Sequence, residues 1–238
     1  MGIIAISGAS RGIGRSIALR FAKEGWNLAL CSKTPEHLDK LTRELQDLGH
    51  QGTVLARVAD FEHRQEVLDF AEAVNQSFDH LDVLVNNAGI FIPGSIVSEP
   101  EGALERMMNI NLFSTYHLTR ALLPCLQRSQ QAHIFNMAST ASLKAYPNGG
   151  AYSISKFALL GFSKNLREEL KPRRIRVTSI CPGPTRTDSW AGYEAPEERM
   201  MKPEDLAEII WTSYHLSAQT VVEDILLRPM EGDIPAES

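Results

Sequence analysis

The sequence predicts an α/β fold: a single domain over residues 1–238, with a doubly wound parallel sheet of about seven strands and helices on both faces. Three observations carry this expectation. Short apolar runs alternate with longer segments of helical periodicity along the chain, with no internal linker or low-complexity stretch. A glycine-rich turn joins the first apolar run to the first helical segment. Several later apolar runs also end directly in glycine or in small polar residues.

Taken in order, the first strand (3–7) holds the apolar run Ile3 to Ile6 and breaks into Ser7-Gly8-Ala9-Ser10-Arg11-Gly12-Ile13-Gly14. Helix 12–25 follows, with Ile17, Leu19, Phe21 and Ala22 as its apolar faces. Strand 27–32 leads through Ser32-Lys33-Thr34-Pro35 into helix 36–49, with Thr34 as N-cap and Pro35 in the first turn. Strand 53–58 and helix 63–78 come next. Strand 82–86 runs into Asn86-Asn87-Ala88-Gly89, and one long helix is expected over 99–127, with Asn111 inside it. Strand 132–138 ends at Ser139, and helix 151–171 carries Tyr152 and Lys156. Strand 174–181 closes on Pro182-Gly183, and helix 203–217 and strand 224–228 complete the set. Right-handed crossovers then give the strand order 3-2-1-4-5-6-7. Residues 187–202 lack apolar periodicity and are expected to form a short lid.

Two of these features carry chemistry. A strand, a glycine turn and a helix N-terminus together make a phosphate cradle, since glycine lets the backbone approach and the helix offers free N–H groups. The spacing here is G-x-x-x-G-x-G. Tyr152 and Lys156 stand four apart and so share a helix face. An ammonium beside a phenol favours the phenolate, so Lys156 is expected to lower the Tyr152 pKa from its usual value near ~10. Ligand-type residues follow the strands at Gly8, Asn87, Ser139 and Pro182, which is where open α/β sheets bind ligands.

With SGASRGIG at 7–14, NNAG at 86–89, Asn111, Ser139, YSISK at 152–156 and PGPTRT at 182–187, the chain resembles the short-chain dehydrogenase/reductase family over nearly its whole length. The resemblance implies a single Rossmann-like domain and hydride transfer between a nicotinamide and a carbonyl or alcohol carbon. It also implies a catalytic tetrad of Asn111, Ser139, Tyr152 and Lys156. Ser139 would hold the substrate oxygen and Tyr152 would give or take the proton. Lys156 would bind the nicotinamide ribose, and Asn111 would kink its helix and hold a water linking Lys156 to solvent.

The end of the second strand selects the dinucleotide. An NAD site wants a carboxylate there for the ribose 2′-OH. This chain has Ser32 instead, with Lys33 beside it and Arg11 in the glycine turn, which suits the 2′-phosphate of NADP(H). The resemblance also places Gly8, Ser10, Gly12, Ile13 and Gly14 around the phosphates. It sets Asp60 on the adenine, Asn87, Ala88 and Gly89 on the adenosine side, and Pro182, Gly183, Thr185 and Thr187 on the carboxamide and phosphates. Asp60 fits equally as a helix N-cap before Glu62. Trp190 and Tyr193 on the lid, with Phe91, Ile92, Leu143 and Tyr146, fit an apolar substrate cleft and fit ordinary packing as well.

Within the family, 3-oxoacyl-carrier-protein reductases match in size and motif order. Arg120, Arg128, Arg173 and Arg174 would suit an acidic carrier protein, or simply a solvated helix face. The ending VVEDILLRPMEGDI departs from the Val-Asp-Gly-Gly ending of those enzymes and leaves sepiapterin-type and other small-carbonyl reductases open. A dinucleotide-binding sensor without turnover would not need Tyr152 and Lys156. Analogy with the family also makes the helices at 99–127 and 151–171 a dimer face, for a homodimer or homotetramer. Leu112, Phe113, Leu118, Leu122, Phe157, Leu160 and Phe162 fit a surface needing cover there, and burial against the chain's own sheet accounts for them as well.

Composition narrows the partners. A net charge of −5, with no basic stripe interleaved with aromatics, argues against nucleic acid. No apolar run approaches the roughly 18–20 residues that span a bilayer. The first strand begins almost at Met1, which leaves no room for a signal peptide. Cys31, Cys125 and Cys181 lack metal or C-x-x-C spacing and read as buried hydrophobes in a reducing cytoplasm. The expected partner is a small-molecule carbonyl substrate, with no metal.

Overall fold

Every expected strand forms in the computed structural model, which describes residues 1–188 and 197–234. They are β1 (Ile3–Ile6), β2 (Asn27–Ser32), β3 (Val54–Val58), β4 (Val83–Asn86), β5 (His133–Met137), β6 (Arg176–Pro182) and β7 (Asp224–Leu227). They form one sheet in the order 3-2-1-4-5-6-7, and every neighbouring pair is parallel. The helices are α1 (Gly12–Ala22), α2 (Pro35–Asp47), α3 (Arg64–Ser77), α4 (Ala103–Met108), α5 (Ser114–Leu126), α6 (Gly150–Leu170) and α7 (Pro203–Tyr214).

Alternate strand residues fill two cores, one on each face of the sheet. Ile4, Ile6, Leu28 and Leu30 pack with Ile17 and Phe21 of α1, Leu38 and Leu41 of α2, and Leu206 and Ile210 of α7. Ile3, Ala5, Ala29 and Leu84 point the other way, toward Val67, Phe70 and Val74 of α3 and Leu118 and Leu122 of α5. A buried polar chain crosses the middle of the molecule. Asn86 Nδ2 donates to Thr119 Oγ1 at 3.0 Å and to Asn136 Oδ1 at 2.7 Å, and Asn136 Nδ2 donates to Ser163 Oγ at 2.9 Å. These bonds fix α5 and α6 against the strand ends that form the site.

The single helix expected over 99–127 is three elements: α4, a π-helical turn over Asn109–Phe113, and α5. The cause is local. Asn111 turns its amide toward a neighbouring loop, and Ser114 Oγ donates back to the Ile110 carbonyl at 2.6 Å, so the regular ladder widens by one residue. Helix ends also fall short of expectation where glycine takes a left-handed conformation. Gly25 (φ +75°) follows α1 and Gly49 (φ +71°) follows α2. Of the expected lid, residues 189–196, including Trp190 and Tyr193, lie outside the described residues, and Glu197–Arg199 form a single 3₁₀ turn.

Candidate active site

The glycine turn leaves β1 at its carboxyl end and is held by the segment that leaves β4. Ser7 Oγ accepts from the backbone N–H groups of Asn87 and Ala88, both at 2.9 Å. Asn87 Nδ2 donates to the carbonyls of Ser7 (3.1 Å) and Gly8 (3.0 Å). Gly8 takes φ +63°, and a Cβ there would lie 3.0 Å from Ala88 Cα. At Gly14 a Cβ would meet the Gly8 carbonyl oxygen at 2.3 Å, so only glycine fits. Gly12 (φ +49°) faces Thr187, whose Cγ2 a Cβ would meet at 2.9 Å, so the loop after β6 folds onto the turn. Ile13 follows Gly12 in the first turn of α1 and packs against the core. Arg11 is the N-cap of α1 but makes no side-chain capping bond, which leaves the first N–H groups of that helix facing the crevice.

The residues expected around a 2′-phosphate come together only in part. Ser10 and Ser32 share a hydrogen bond of 2.6 Å, joining the glycine turn to the end of β2. Lys33 is exposed beside them. Arg11 extends instead to Asp188 at 2.8 Å, an ion pair about half exposed on both sides. Thr34 is the N-cap of α2 by position, but its side chain makes no cap. Asp60 is not a helix cap, because His63 occupies that place before α3. Asp60 Oδ1 instead accepts from the Glu62 N–H at 3.0 Å in an Asx turn, and its own N–H donates to Glu66 Oε2 at 2.7 Å. After β6, Gly183 N–H donates to the Leu227 carbonyl at 2.8 Å, next to the register pair Pro182 and Leu227. Thr185 Oγ1 donates to the Gly183 carbonyl at 3.0 Å.

The four tetrad residues meet in the crevice beyond β4, β5 and β6. Ser139, at the end of β5, caps a 3₁₀ turn by accepting from Ala141 N–H at 3.1 Å, and its hydroxyl lies near enough to the Tyr152 phenol to favour the phenolate. Lys156 Nζ lies 5.8 Å from the Tyr152 ring centroid and donates to the Met137 carbonyl at 2.8 Å. Asn111 is fully buried. Its Nδ2 donates to the Ile90 carbonyl (3.1 Å) and Ser155 Oγ (2.9 Å), while its Oδ1 accepts from Ile90 N–H (2.8 Å). Gly89 packs against this corner, where a Cβ would lie 3.2 Å from Asn111 Oδ1 and 3.5 Å from Lys156 Nζ.

One expectation reverses. Burial pushes the Tyr152 phenol above its ordinary value, opposed in part by the neighbouring Ser139 hydroxyl, rather than Lys156 pulling it down. The same burial lowers Lys156 to about 8, with nearby Cys181 acting in the opposite sense. Both groups sit in a water-poor place, and desolvation outweighs an ammonium that is engaged with the Met137 carbonyl.

Around the phenol, Phe91 packs edge-on to Tyr152 at 4.8 Å between centroids, and Ile90, Ile92 and Tyr152 pack against Met107 and Ala151 in one apolar cluster. Leu143 is exposed. Tyr146 donates to Asp233 Oδ2 at 3.2 Å, so the C-terminal segment reaches the substrate side. Arg128 is turned to the backbone carbonyls of Asp79 and Pro124, and Arg120 bonds Tyr116 on its own helix. The expected dimer face is only partly available. Phe113 and Phe157 are exposed, with Leu104, Tyr116 and Ile154, but Leu118, Leu122 and Leu160 are buried in the chain's own core because they face the sheet. Sequence reasoning missed Ser155, which holds Asn111, although it sits inside the YSISK run. It also missed Glu99, whose carboxylate accepts from Ala151 N–H at 3.1 Å across 52 residues with no local signal.

Among the described residues, no cluster of His, Cys, Asp and Glu is arranged to hold a metal ion, and no helix is long and apolar enough to cross a membrane. All three cysteines are free and buried.

A seven-stranded parallel sheet, a glycine turn braced by Asn87, and a Ser–Tyr–Lys–Asn crevice together define a class. Residues 2–198 match the short chain dehydrogenase family, and the chain belongs to it. Its relatives include a sepiapterin reductase of Chlorobaculum tepidum, 34% identical over 241 residues and 98% of both chains. A 3-oxoacyl-(acyl-carrier-protein) reductase of Thermotoga maritima is 31% identical over 215 residues, covering 86% of this chain and 87% of that one. Among solved structures, an alcohol dehydrogenase from Thermococcus sibiricus complexed with 5-hydroxy-NADP superposes with a TM-score of 0.90 at 27% identity, over 99% of this chain and 100% of that one. The L-sorbose reductase of Gluconobacter frateurii, complexed with NADPH and L-sorbose, gives 0.87 at 26% identity, over 96% and 95%.

Proposed function

We propose that this protein is an NADPH-dependent carbonyl reductase that forms an alcohol, with Tyr152 supplying the proton. The observation that carries the reading is the convergence of the Ser139 hydroxyl, the Tyr152 phenol and the Lys156 ammonium, 5.8 Å from the phenol ring centroid, in the crevice beside the glycine turn. Support for a dinucleotide comes from the turn itself. Its glycines leave no room for side chains, and the start of α1 keeps its N–H groups without a side-chain cap, as a pyrophosphate requires. Ser32, Lys33 and Arg11 favour the 2′-phosphate, and the Thermococcus and Gluconobacter neighbours are complexes with an NADP analogue and NADPH.

When bound, the dihydronicotinamide supplies the hydride. The protein's own residues do the remainder. Ser139 Oγ donates a hydrogen bond to the substrate oxygen and holds the carbonyl next to Tyr152. The phenol, kept protonated by burial, gives its proton to that oxygen as negative charge develops. Lys156, fixed by the Met137 carbonyl, holds positive charge behind the phenol and stabilises the phenolate left afterwards. Asn111 locks Ile90 and Ser155, which keeps the wall next to Lys156 in place. Phe91, Ile92 and Leu143 suit an apolar carbonyl substrate, and the names of the relatives range from a pterin to an acyl thioester substrate. We assign the exposed apolar surface of α4 to α6 to a contact between copies, as a homodimer or homotetramer, and the protein to the cytoplasm.

The experiment is a panel of short 3-oxoacyl thioesters, diketones, aromatic aldehydes and pterins, followed by NADPH absorbance. Wild type reduces at least one class. Tyr152→Phe keeps NADPH affinity and loses at least about a hundredfold in kcat. A variant as active as wild type removes the phenol from the mechanism. NADPH binding with no reduction across the panel points to a sensor.

A further inference from the structure

The helix that carries Tyr152 and Lys156 has no N-cap side chain of its own. Its N-cap is Gly149, and Gly150, its first residue, takes φ +33°. The missing acceptor comes from far away in the chain, since Glu99 Oε2 takes the N–H of Ala151, the residue directly before Tyr152. The fit leaves little slack. A Cβ on Gly150 would lie 2.5 Å from Glu99 Oε2 and 2.5 Å from the Gly94 carbonyl oxygen, and a Cβ on Gly94 would lie 2.9 Å from Glu99 Cβ. A second bond closes the same junction, from Gly94 N–H to the Asn148 carbonyl at 3.0 Å. The segment clamped in this way also carries Phe91, which lies edge-on against the Tyr152 ring.

From this we infer that Glu99 is a positioning residue for Tyr152. Its carboxylate caps the catalytic helix from outside and ties the Phe91 wall to the phenol. The physical reason is twofold. A carboxylate at a helix N-terminus satisfies an N–H that would otherwise have no partner and lies at the positive end of the helix dipole. Tyr152 lies in that first turn, so slack at Ala151 passes directly to the phenol, and displacements of about 1 Å at a reacting group can cost about a hundredfold in rate. The inference rests on Tyr152 acting as the proton donor. It goes further by assigning the reaction a residue 53 positions away, outside the tetrad.

The test compares wild type, Glu99→Ala and Glu99→Gln, with 1-phenyl-1,2-propanedione as carbonyl probe, or the best substrate of the panel if the dione is not turned over. Glu99→Ala should lower kcat about ten- to hundredfold while NADPH affinity, read by fluorescence, stays within about twofold. Glu99→Gln keeps an amide oxygen that can accept from Ala151 N–H, and should return kcat to within about threefold of wild type. A role confined to folding would lower the melting temperature without this split and without rescue by Gln. A Glu99→Ala variant with wild-type kcat overturns the inference, as does one that loses NADPH affinity in parallel. Should wild type bind NADPH and reduce nothing, the functional reading fails separately. The position of Tyr152 is then read from its ¹⁹F resonance in 3-fluorotyrosine protein, assigned with Tyr152→Phe. That signal shifts in Glu99→Ala if Glu99 positions the ring, and an unmoved signal overturns the inference.

Discussion

Lys156 Nζ donates to the Met137 carbonyl oxygen at 2.8 Å, so the ammonium behind Tyr152 is anchored to the end of β5 rather than free to follow the phenol. Burial of both groups, which disfavours the charged form of each, explains why the Lys lies low and the Tyr high. A protonated phenol suits a reductase, because the donor must carry its proton when the hydride arrives.

The pH dependence of reduction follows from this. The ammonium is lost as pH rises through about 8, while the raised phenol stays protonated there. The rate constant kcat/KM for carbonyl reduction should therefore fall by up to about tenfold per pH unit beyond that point. In Lys156→Arg, whose guanidinium stays charged, the residual activity should lose this limb. A pH profile with saturating NADPH checks both statements. An identical limb in the variant would assign it to another group.

His133 makes stability depend on acid. It is fully buried, its Nε2 meets Thr178 Oγ1 at 2.7 Å, and the Thr178 hydroxyl already donates to the Val222 carbonyl at 2.5 Å. Nε2 must then carry the ring proton, and Nδ1 has no hydrogen-bond partner. Burial, followed by the charge of Arg176, holds the pKa well below its usual value. The unfolded chain takes up this proton near pH ~6.5, before the folded protein does. Stability is thus fully present above that pH and is lost as pH falls below it, by up to about 1.4 kcal/mol per unit. His133→Gln should flatten the slope in urea titrations between pH 7 and 5.

Arg167 should be the most costly charge to truncate. It is 5% exposed, donates to the Val177 carbonyl and to Asp224 Oδ1 at 2.9 Å each, and also bonds the Glu223 carbonyl. Arg167→Ala leaves these acceptors on β6 and at the start of β7 without their donor from α6, at a cost of about 3–5 kcal/mol. For a chain of this size that amounts to a drop in Tm of about 10 °C. Arg167 stands fifteen residues along α6 from Tyr152, about 22 Å away, so NADPH affinity well below the transition should not change. Calorimetry and fluorescence binding separate the two effects.

The parts of this protein that read correctly from sequence are those set by local pattern and chirality. Right-handed crossovers leave one sheet order once seven strands alternate with helices. The Tyr152–Lys156 spacing fixes a shared helix face whatever surrounds it. Contacts between distant segments were not legible. The π-helical turn over Asn109–Phe113 exists because Asn111 reaches Ile90, and the cap on α6 because Glu99 reaches Ala151. The direction of the Tyr152 shift depends on burial, which residue spacing does not encode. For Leu118, Leu122 and Leu160 the sequence leaves open a contact between copies or burial against the sheet, and their positions on α5 and α6 turn them toward the sheet.

Cofactor preference should change at the end of β2. Ser32 is 8% exposed and holds Ser10 of the glycine turn at 2.6 Å, with Lys33 exposed beside it. Aspartate at position 32 keeps an acceptor for the Ser10 hydroxyl, so the turn should survive the change. It also puts a negative charge where the 2′-phosphate would lie, and a carboxylate in that place accepts instead from a free ribose 2′-OH. Ser32→Asp with Lys33→Ala should therefore weaken NADPH about ten- to hundredfold, through like-charge repulsion and the loss of a cation, and should strengthen NADH. Fluorescence titration of both cofactors reads the ratio directly. An unaltered preference would shift the phosphate to another cation of the crevice. Arg11 is then the residue to change next, since its Asp188 partner is exposed and a phosphate would compete for the same guanidinium.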